Sequence, residues 1–264
     1  MTPKRAYTAM NLFMAMMAAA FMLSAVSCSD YIPGTMTLKT SGTYRLSDDS
    51  EAELDLKINV EYLISGPDKG VMDSINGSIA SAMFGDVPAD ISIEDAVTEY
   101  KDKKVAEYRE VNLPLLVRDS TMDRHPASAS WSDYTTGAVS GFYDDILSYT
   151  VTKYTYTGGA HGTTSVKALN LDMKTGAAVT EEEMFKAGYA DRLSGLLTGR
   201  LPESLENPAD TSMLFEKNIR PNGNFTVSDS GVTYIYNQYE IGPYVMGTIK
   251  VTVPWNELED LLRH

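Results

Sequence analysis

Hydrophobic and polar residues alternate strictly in the stretch LDLKINVEY, residues 54–62. The apolar positions are Leu54, Leu56, Ile58, Val60 and Tyr62. Successive side chains of a strand point to opposite faces, so this period predicts a strand with one buried and one solvated face.

The period then lengthens to that of a helix. Four apolar residues follow GPDKG at intervals of three and four, namely Met72, Ile75, Ile79 and Met83. They predict an amphipathic helix that ends near Gly85. Ser92 and Asp95 form a helix-capping sequence, so a second helix is expected from there to about Tyr108. An irregular connection is expected over 113–124.

The rest of the chain predicts strands, helices and strands again. Strands are expected at 127–157 (two or three of them), 166–173, 232–239 and 248–253. Thr180 with Glu183 repeats the capping sequence and predicts one or two helices over 181–201. A short terminal helix follows Pro254. This order favours an α+β fold with a mostly antiparallel sheet, helices packed on it, and two subdomains.

The first 27 residues have the layout of a secretory signal. Lys4 and Arg5 precede an apolar stretch over 12–23, which is shorter than the roughly 20 residues that span a bilayer. The only cysteine, Cys28, follows directly in AVSC, a sequence similar to a bacterial lipobox with Ala25 where leucine is more usual. We expect lipid attachment at Cys28 and an exported protein anchored to the cell envelope, with the outer membrane as the expected location.

The chain is acidic. It has 22 Lys and Arg against 36 Asp and Glu, a formal charge of −14, which becomes −16 if cleavage removes Lys4 and Arg5. Such a surface repels nucleic acid and would attract a cationic partner. We therefore expect no nucleic-acid ligand.

The segment YTGGAHG, residues 156–162, is a candidate site. Gly158, Gly159 and Gly162 permit backbone angles closed to other residues. Three interpretations are open: a tight connection between strands, a nest for an anion, or a loop in which His161 acts as a general base. No nucleophile elbow or second histidine lies nearby, so we expect a binding or structural loop that includes Tyr156, and no catalytic residue.

A metal or cofactor is not expected. The chain has three histidines, none paired at ligand spacing, and it lacks CxxC and HExxH motifs. Asp144 and Asp145 are adjacent and predict a solvated bend. A second candidate loop contains Tyr239, Glu240 and Tyr244, whose aromatic and polar groups suit a contact surface.

Several motifs occur together in a fixed order: YTGGAHG, LDMKTG (171–176), EEMF (182–185), YEIGPYVMG (239–247) and VTVPWNEL (251–258). This order resembles the extracellular domain of unknown function in the lysozyme-sensing anti-sigma factor RsiV and in the accessory region of the peptidoglycan deacetylase PdaC. The segment 51–108 resembles the companion domain that often precedes it. The resemblance implies an α+β fold, export and ligand binding at the cell envelope.

With this resemblance, we expect four segments: a lipoprotein signal (1–27), a tether (28–50), a PdaC-type companion subdomain (51–125) and an RsiV-like domain (126–264). No cytoplasmic segment precedes the leader and no deacetylase domain with Asp–His metal motifs is present. Anti-sigma activity is therefore not expected, and hydrolysis lacks evident machinery.

Two functional hypotheses follow, and a third interpretation, a scaffold or assembly component without a small ligand, stays open beside them. The first is a lipid-anchored, non-catalytic binding or sensing protein for peptidoglycan fragments or a basic protein such as lysozyme. The alternative is a cell-wall glycan hydrolase or deacetylase-type enzyme that uses His161 with a carboxylate such as Asp145 or Glu240.

Overall fold

The computed structural model describes residues 33–88, 90–118 and 129–263, with residues 116–118 described by their backbone alone. The predicted leader and the lipid-attachment residue Cys28 lie outside the described residues.

Five strands form the larger sheet, in the order β1-β2-β3-β4-β5. They are β1 (Gly34–Arg45), β2 (Glu53–Ser65), β3 (Trp131–Tyr143), β4 (Ile146–Tyr156) and β5 (Thr163–Asp172). Every neighbouring pair is antiparallel except β2 and β3, which run parallel. The predicted mostly antiparallel α+β fold is confirmed.

The parallel pair requires a crossover connection, and two helices provide it. They are α1 (Lys69–Phe84) and α2 (Ile93–Arg118). The predicted start of α2 is confirmed, since the Asp95 amide donates to Ser92 Oγ at 3.1 Å. Gly85 ends α1 as expected, with its N–H donating to the Ser81 carbonyl oxygen.

The two faces of the five-stranded sheet differ. The face that packs on α1 and α2, here called the helix face, carries the predicted apolar residues of β2, including Leu56 and Ile58, which are fully buried. The opposite face, here called the outer face, carries Lys57, Tyr134 and Tyr154, which are aligned across β2, β3 and β4. Period-two alternation in β2 therefore separates core from surface as expected.

The C-terminal part has a smaller sheet and its own core. Its strands are β6 (Phe225–Ser228), β7 (Gly231–Tyr236) and β8 (Ile249–Val253), all antiparallel. They pack with α3 (Glu181–Met184), α4 (Tyr189–Arg200) and α5 (Trp255–Leu258). The predicted capping box at Thr180 and Glu183 is present at the start of α3. Two cores are consistent with the predicted two subdomains.

Some expected boundaries are wrong. The range 28–50, expected to be a tether, contains β1, a full edge strand. Its inward positions include Thr40 and Gly42, which are not apolar side chains, so the alternation of apolar and polar residues that predicts a strand is missing there. The subdomain boundary at 125/126 is corrected as well, because β3 completes the same sheet as β1 and β2. Strand β6 was not predicted.

Helix α2 extends ten residues beyond its expected end at Tyr108 and passes through Pro114. Proline lacks the N–H that continues a helix and usually ends it. Here Tyr108 and Asn112 are buried, and the Asn112 Nδ2 amide donates to the Tyr108 carbonyl oxygen at 2.8 Å. Tertiary burial therefore holds a helical segment that local sequence disfavours.

Candidate functional site

The two loops predicted as candidate sites meet in the structure. One joins β4 to β5 and contains His161; the other joins β7 to β8 and contains Tyr244. The rings of His161 and Tyr244 stack with centroids 4.0 Å apart and planes 30° apart. The Tyr244 hydroxyl donates to the Gly162 carbonyl oxygen at 2.9 Å, and His161 Nδ1 lies 3.1 Å from the same oxygen.

The contact continues onto the outer face through Gly162, which is buried. A Cβ atom at this position would lie 2.4 Å from two ring carbons of Tyr154, so only glycine allows the ring to lie against the loop. Tyr154 in turn stacks on Tyr134 of the neighbouring strand, with ring centroids 5.4 Å apart. The glycine thus serves a close approach between the loop and an aromatic side chain.

At the other end of this series, Tyr239 lies 5.9 Å from Tyr244 between ring centroids and is 55% exposed. Its φ of 67° is unusual for a residue other than glycine. The turn that imposes it is closed by Glu240, whose backbone N–H donates to the Asn237 carbonyl oxygen at 3.0 Å and whose Oε2 accepts from the Asn237 N–H at 2.8 Å. A strained turn therefore holds an aromatic ring out in solvent.

We define the aromatic row as Tyr239, Tyr244, His161, Tyr154 and Tyr134. It runs from the β7–β8 loop across the β4–β5 loop to the outer face.

A charged pair ends the row on β2. Lys57 Nζ lies 4.3 Å from the ring centroid of Tyr134 and forms an ion pair of 2.8 Å with Asp55. The Tyr134 hydroxyl also donates to Asp55. Partial burial opposes ionisation of Asp55, but hydrogen bonds from Lys57 and Tyr134 outweigh it and lower the pKa of this carboxyl group. The hydrogen bond to Asp55 raises the pKa of Lys57. The row therefore ends in a fully ionised pair at neutral pH.

Amide side chains fix the loops beside β5, which is an edge strand. The N–H groups of Thr164, Val166 and Ala168 would otherwise be unpaired on this edge. They donate to side-chain oxygens of Gln238 (2.9 Å), Asn237 (2.7 Å) and Asn224 (2.8 Å) respectively. Asn237 and Asn224 also donate to the Val166 carbonyl oxygen. This amide ladder takes the place of a neighbouring strand.

His161 has no carboxylate as a hydrogen-bond partner within residues 33–88, 90–118 and 129–263. Asp145 forms an ion pair with Lys174 at the opposite end of β4 from the loop that contains His161. Glu240 Oε1 accepts from Asn222 at 2.6 Å, and its Oε2 accepts from the backbone of Asn237. The pairing that the enzymatic hypothesis requires is not formed in this arrangement.

The remaining predicted site residues lie in or beside the same loop. Gly158 adopts a positive φ of 88°, so it serves the turn. Gly159 is exposed, and Tyr156 ends β4 beside the row. Sequence reasoning missed Tyr134 and Tyr154. Alternation within β3 and β4 places each on one face, but only the register between the strands brings the two rings together.

Two family models match this chain. The model of deacetylase PdaC matches residues 48–164, and that of a protein family of unknown function, DUF3298, matches residues 182–256. The chain contains a DUF3298/PdaC-like domain. The predicted resemblance is confirmed, with the PdaC-like region extending through the larger sheet to the β4–β5 loop.

Known proteins show the same relationship. The peptidoglycan-N-acetylmuramic acid deacetylase PdaC of Bacillus subtilis is 26% identical over 116 residues, which cover 42% of this chain. The chain spans about a quarter of the length of that relative, since the match covers 25% of it. A DUF3298 family member from Bacteroides fragilis superposes with a TM-score of 0.80 and 26% identity, over 89% of this chain and 95% of its own.

A DUF3298 family protein from Pseudomonas aeruginosa shares the fold at 17% identity. Its TM-score is 0.63, and the match covers 89% of this chain and 96% of that one. Across the part of the chain described here, helices are too short or too polar to cross a membrane. A cluster of His, Cys, Asp or Glu suited to a metal ion is also absent from that part.

Proposed function

We propose that this protein is a non-catalytic binding protein of the bacterial cell envelope that holds a glycan strand of peptidoglycan along the aromatic row. The observation that carries the proposal is the row itself. Three rings of the loops and two rings of the strands follow one another, with Gly162 between His161 and Tyr154. The outermost ring, Tyr239, is held exposed in a strained turn.

A sugar chain suits this surface chemically. A pyranose ring presents C–H groups on its faces and hydroxyl groups at its edges. Tyrosine likewise combines an apolar ring with a hydroxyl group, so an exposed ring such as that of Tyr239 can pack against a sugar face while its hydroxyl group is hydrogen-bonded. The rings of the row are uncharged tyrosines apart from His161, which favours a glycan over a basic protein as the ligand.

The relationship with a peptidoglycan deacetylase supports a cell-envelope protein. The segment that the PdaC family model matches, residues 48–164, contributes Tyr134, Tyr154 and His161. The DUF3298 segment contributes Tyr239 and Tyr244. A ligand on the aromatic row would therefore contact both regions, which gives a physical reason for their occurrence in one chain.

Isothermal titration of the purified protein with soluble glycan fragments of peptidoglycan tests the proposal. We expect saturable binding that weakens at least about tenfold, or about 1.4 kcal/mol, in Tyr154→Ala and in Tyr239→Ala. The matched controls are Tyr154→Phe and Tyr239→Phe, which keep the ring and should retain most of the affinity. Absence of binding, or alanine variants that bind like the wild type, would refute the proposal. Binding of lysozyme, without binding of glycan fragments, would identify a basic protein as the ligand.

Anchoring of this protein through acyl chains on Cys28 is part of the proposal. An acyl chain binds the membrane with about 0.8 kcal/mol per buried CH₂ group, so several chains hold a protein stably. Mass spectrometry of the protein from membranes should show a modified residue 28. A Cys28→Ala variant that stays in the membrane fraction would contradict this part.

The enzymatic alternative has a direct test. A deacetylase or glycan hydrolase that depends on His161 would lose activity on peptidoglycan in the His161→Ala variant. We expect neither released acetate nor new reducing ends from the wild-type protein. Measured turnover that His161→Ala abolishes would replace the binding proposal by the enzymatic one.

A further inference from the structure

The two edges of the five-stranded sheet differ. At one edge, the amide ladder pairs with N–H groups of β5. At the other edge, β1 pairs with β2 on one side, and no strand within residues 33–88, 90–118 and 129–263 pairs with its second side. An edge strand directs a row of backbone N–H and C=O groups outward. The second side of β1 therefore offers hydrogen-bonding groups to a further strand.

Strand β1 lacks the features that usually prevent an edge strand from pairing. Those features are short length, prolines, bulges and charged side chains that point inward. β1 has 12 residues, none of them proline, and its register shift lies at its very start, between Gly34 and Thr35. Its two charged residues, Lys39 and Arg45, lie on the outer face, because Ser41 is paired with Lys57 of that face and alternate residues share a face.

Two copies of β1 can pair antiparallel about a two-fold axis. The helix faces of both copies stay on the same side of the sheet only if one residue lies opposite its own copy, since a shift by one residue exchanges the faces. The longest such registers pair residues 34–44 about Lys39 or residues 35–45 about Thr40. The first places Lys39 opposite Lys39 of the second copy, and like charges at this position are destabilising. The register about Thr40 is therefore favoured.

The side chains match in the register about Thr40. Threonine lies opposite threonine at its centre, a favourable pair across strands. Met36, which is 47% exposed, lies opposite Tyr44, so that its thioether can contact an aromatic ring. Lys39 lies opposite the hydroxyl group of Ser41. The register thus covers an exposed apolar side chain and separates the lysines.

We propose that two copies of this protein associate through their β1 edges into one continuous sheet, in the antiparallel register about Thr40. The formal charge of −14 does not oppose this contact locally, because residues 33–46 contain neither aspartate nor glutamate. The contact lies on β1, whereas the strand residues of the aromatic row lie on β3 and β4. Its test is therefore independent of glycan binding.

Cysteine cross-linking in the Cys28→Ala protein, which has no other thiol, tests the register. Opposite residues of antiparallel strands have Cα atoms about 4.5–5.5 Å apart, a separation that a disulfide spans. Oxidation of Thr40→Cys should therefore give a disulfide-linked dimer. The matched control is Ser41→Cys, which is more exposed but lies diagonal to its copy, at about 7–8 Å. It should cross-link several-fold more slowly, and equal or faster cross-linking than in Thr40→Cys would overturn the proposal.

Sedimentation equilibrium of the Cys28→Ala protein tests the association itself. We expect a dimer that dissociates on dilution. Ser41→Lys places a like charge opposite Lys39 twice in each dimer, whereas Thr43→Lys adds the same charge opposite a threonine. The dissociation constant should rise at least about threefold more in Ser41→Lys than in Thr43→Lys.

A protein that remains monomeric at millimolar concentration would overturn the proposal and leave the edge to an extended peptide of another protein. Equal dissociation constants of Ser41→Lys and Thr43→Lys would also overturn it, because the contact would then lie elsewhere. Both substituted residues are exposed, so this pair decides alone if Thr40→Cys does not fold.

Discussion

The substitution Gly162→Ala tests the packing that links the two loops to the outer face. The added Cβ would lie 2.4 Å from two ring carbons of Tyr154 and 2.5 Å from its hydroxyl oxygen. Carbon atoms prefer separations of about 3.5–4.0 Å, so the ring must move by roughly 1 Å. The φ of Gly162 is outside the left-handed region, so the effect comes from this contact and not from the backbone.

The ring of Tyr154 is the far end of a side chain on a half-buried position, so it can turn without moving the strand. We therefore expect a destabilisation near the lower end of the usual range for overpacking, about 1 kcal/mol. For a domain of this size that lowers Tm by about 2–4 °C. A tyrosine ring displaced by roughly 1 Å also leaves its place in the aromatic row, so glycan affinity should fall at least about tenfold.

Gly159→Ala in the same loop is the matched control. A Cβ there meets only the His161 carbonyl oxygen, at 4.0 Å, and Gly159 is exposed. Because alanine restricts the unfolded chain more than glycine does, this variant should be unchanged or up to about 1 kcal/mol more stable. Calorimetric melting and glycan titration of both variants are compared. Identical Tm values for Gly162→Ala and Gly159→Ala would refute the packing argument. A lowered Tm of Gly162→Ala with unchanged glycan affinity would refute the role of Tyr154 in recognition.

Two further predictions concern stability. Asn237→Ala should leave the N–H group of Val166 unpaired, whereas the Val166 carbonyl keeps its hydrogen bond from Asn224. We expect a destabilisation of about 1–3 kcal/mol, measured by urea unfolding. The exposed Asn256→Ala should not destabilise the fold, and equal effects of the two substitutions would contradict the role of the amide ladder. Burial raises the pKa of Tyr149 above its ordinary value near 10. The unfolded chain loses this proton first as pH rises, so the contribution of Tyr149 to stability is full below about pH 10 and falls above it by about 1.4 kcal/mol per pH unit. The loss of stability measured between about pH 9 and 11 should therefore be shallower in Tyr149→Phe than in the wild type. An unchanged slope would show that other buried tyrosines with raised pKa values, such as Tyr100 and Tyr236, cause the loss.

Local patterns were sufficient where one face of an element meets a core. The alternation over 54–62 predicted β2, and the three-and-four spacing of Met72, Ile75, Ile79 and Met83 predicted α1. The capping residues at Ser92 and Thr180 were also identified correctly, because a cap depends on only three or four neighbouring residues.

Elements stabilised by distant contacts escaped local analysis. On the inward face of strand β1, Thr40 and Gly42 interrupt the apolar pattern between Leu38 and Tyr44, so the strand is identified only by its pairing with β2. The continuation of α2 past Pro114 depends on the burial of Tyr108 and Asn112. Neither the pairing of β1 with β2 nor the burial of Tyr108 and Asn112 can be recognised from the residues of the segment alone.

Local sequence patterns were enough for the strand and helix periods, for the resemblance to DUF3298 and PdaC proteins, and for the two loops that carry His161 and Tyr244. They also identified the glycines of the β4–β5 loop. The stacking of these loops, the space that Gly162 leaves for Tyr154, and the extension of the row by Tyr134 are visible only in the three-dimensional fold. Periodicity follows from neighbours along the chain, whereas the aromatic row depends on strand register and on contacts between distant residues, such as Gly162 and Tyr244, which are 82 positions apart.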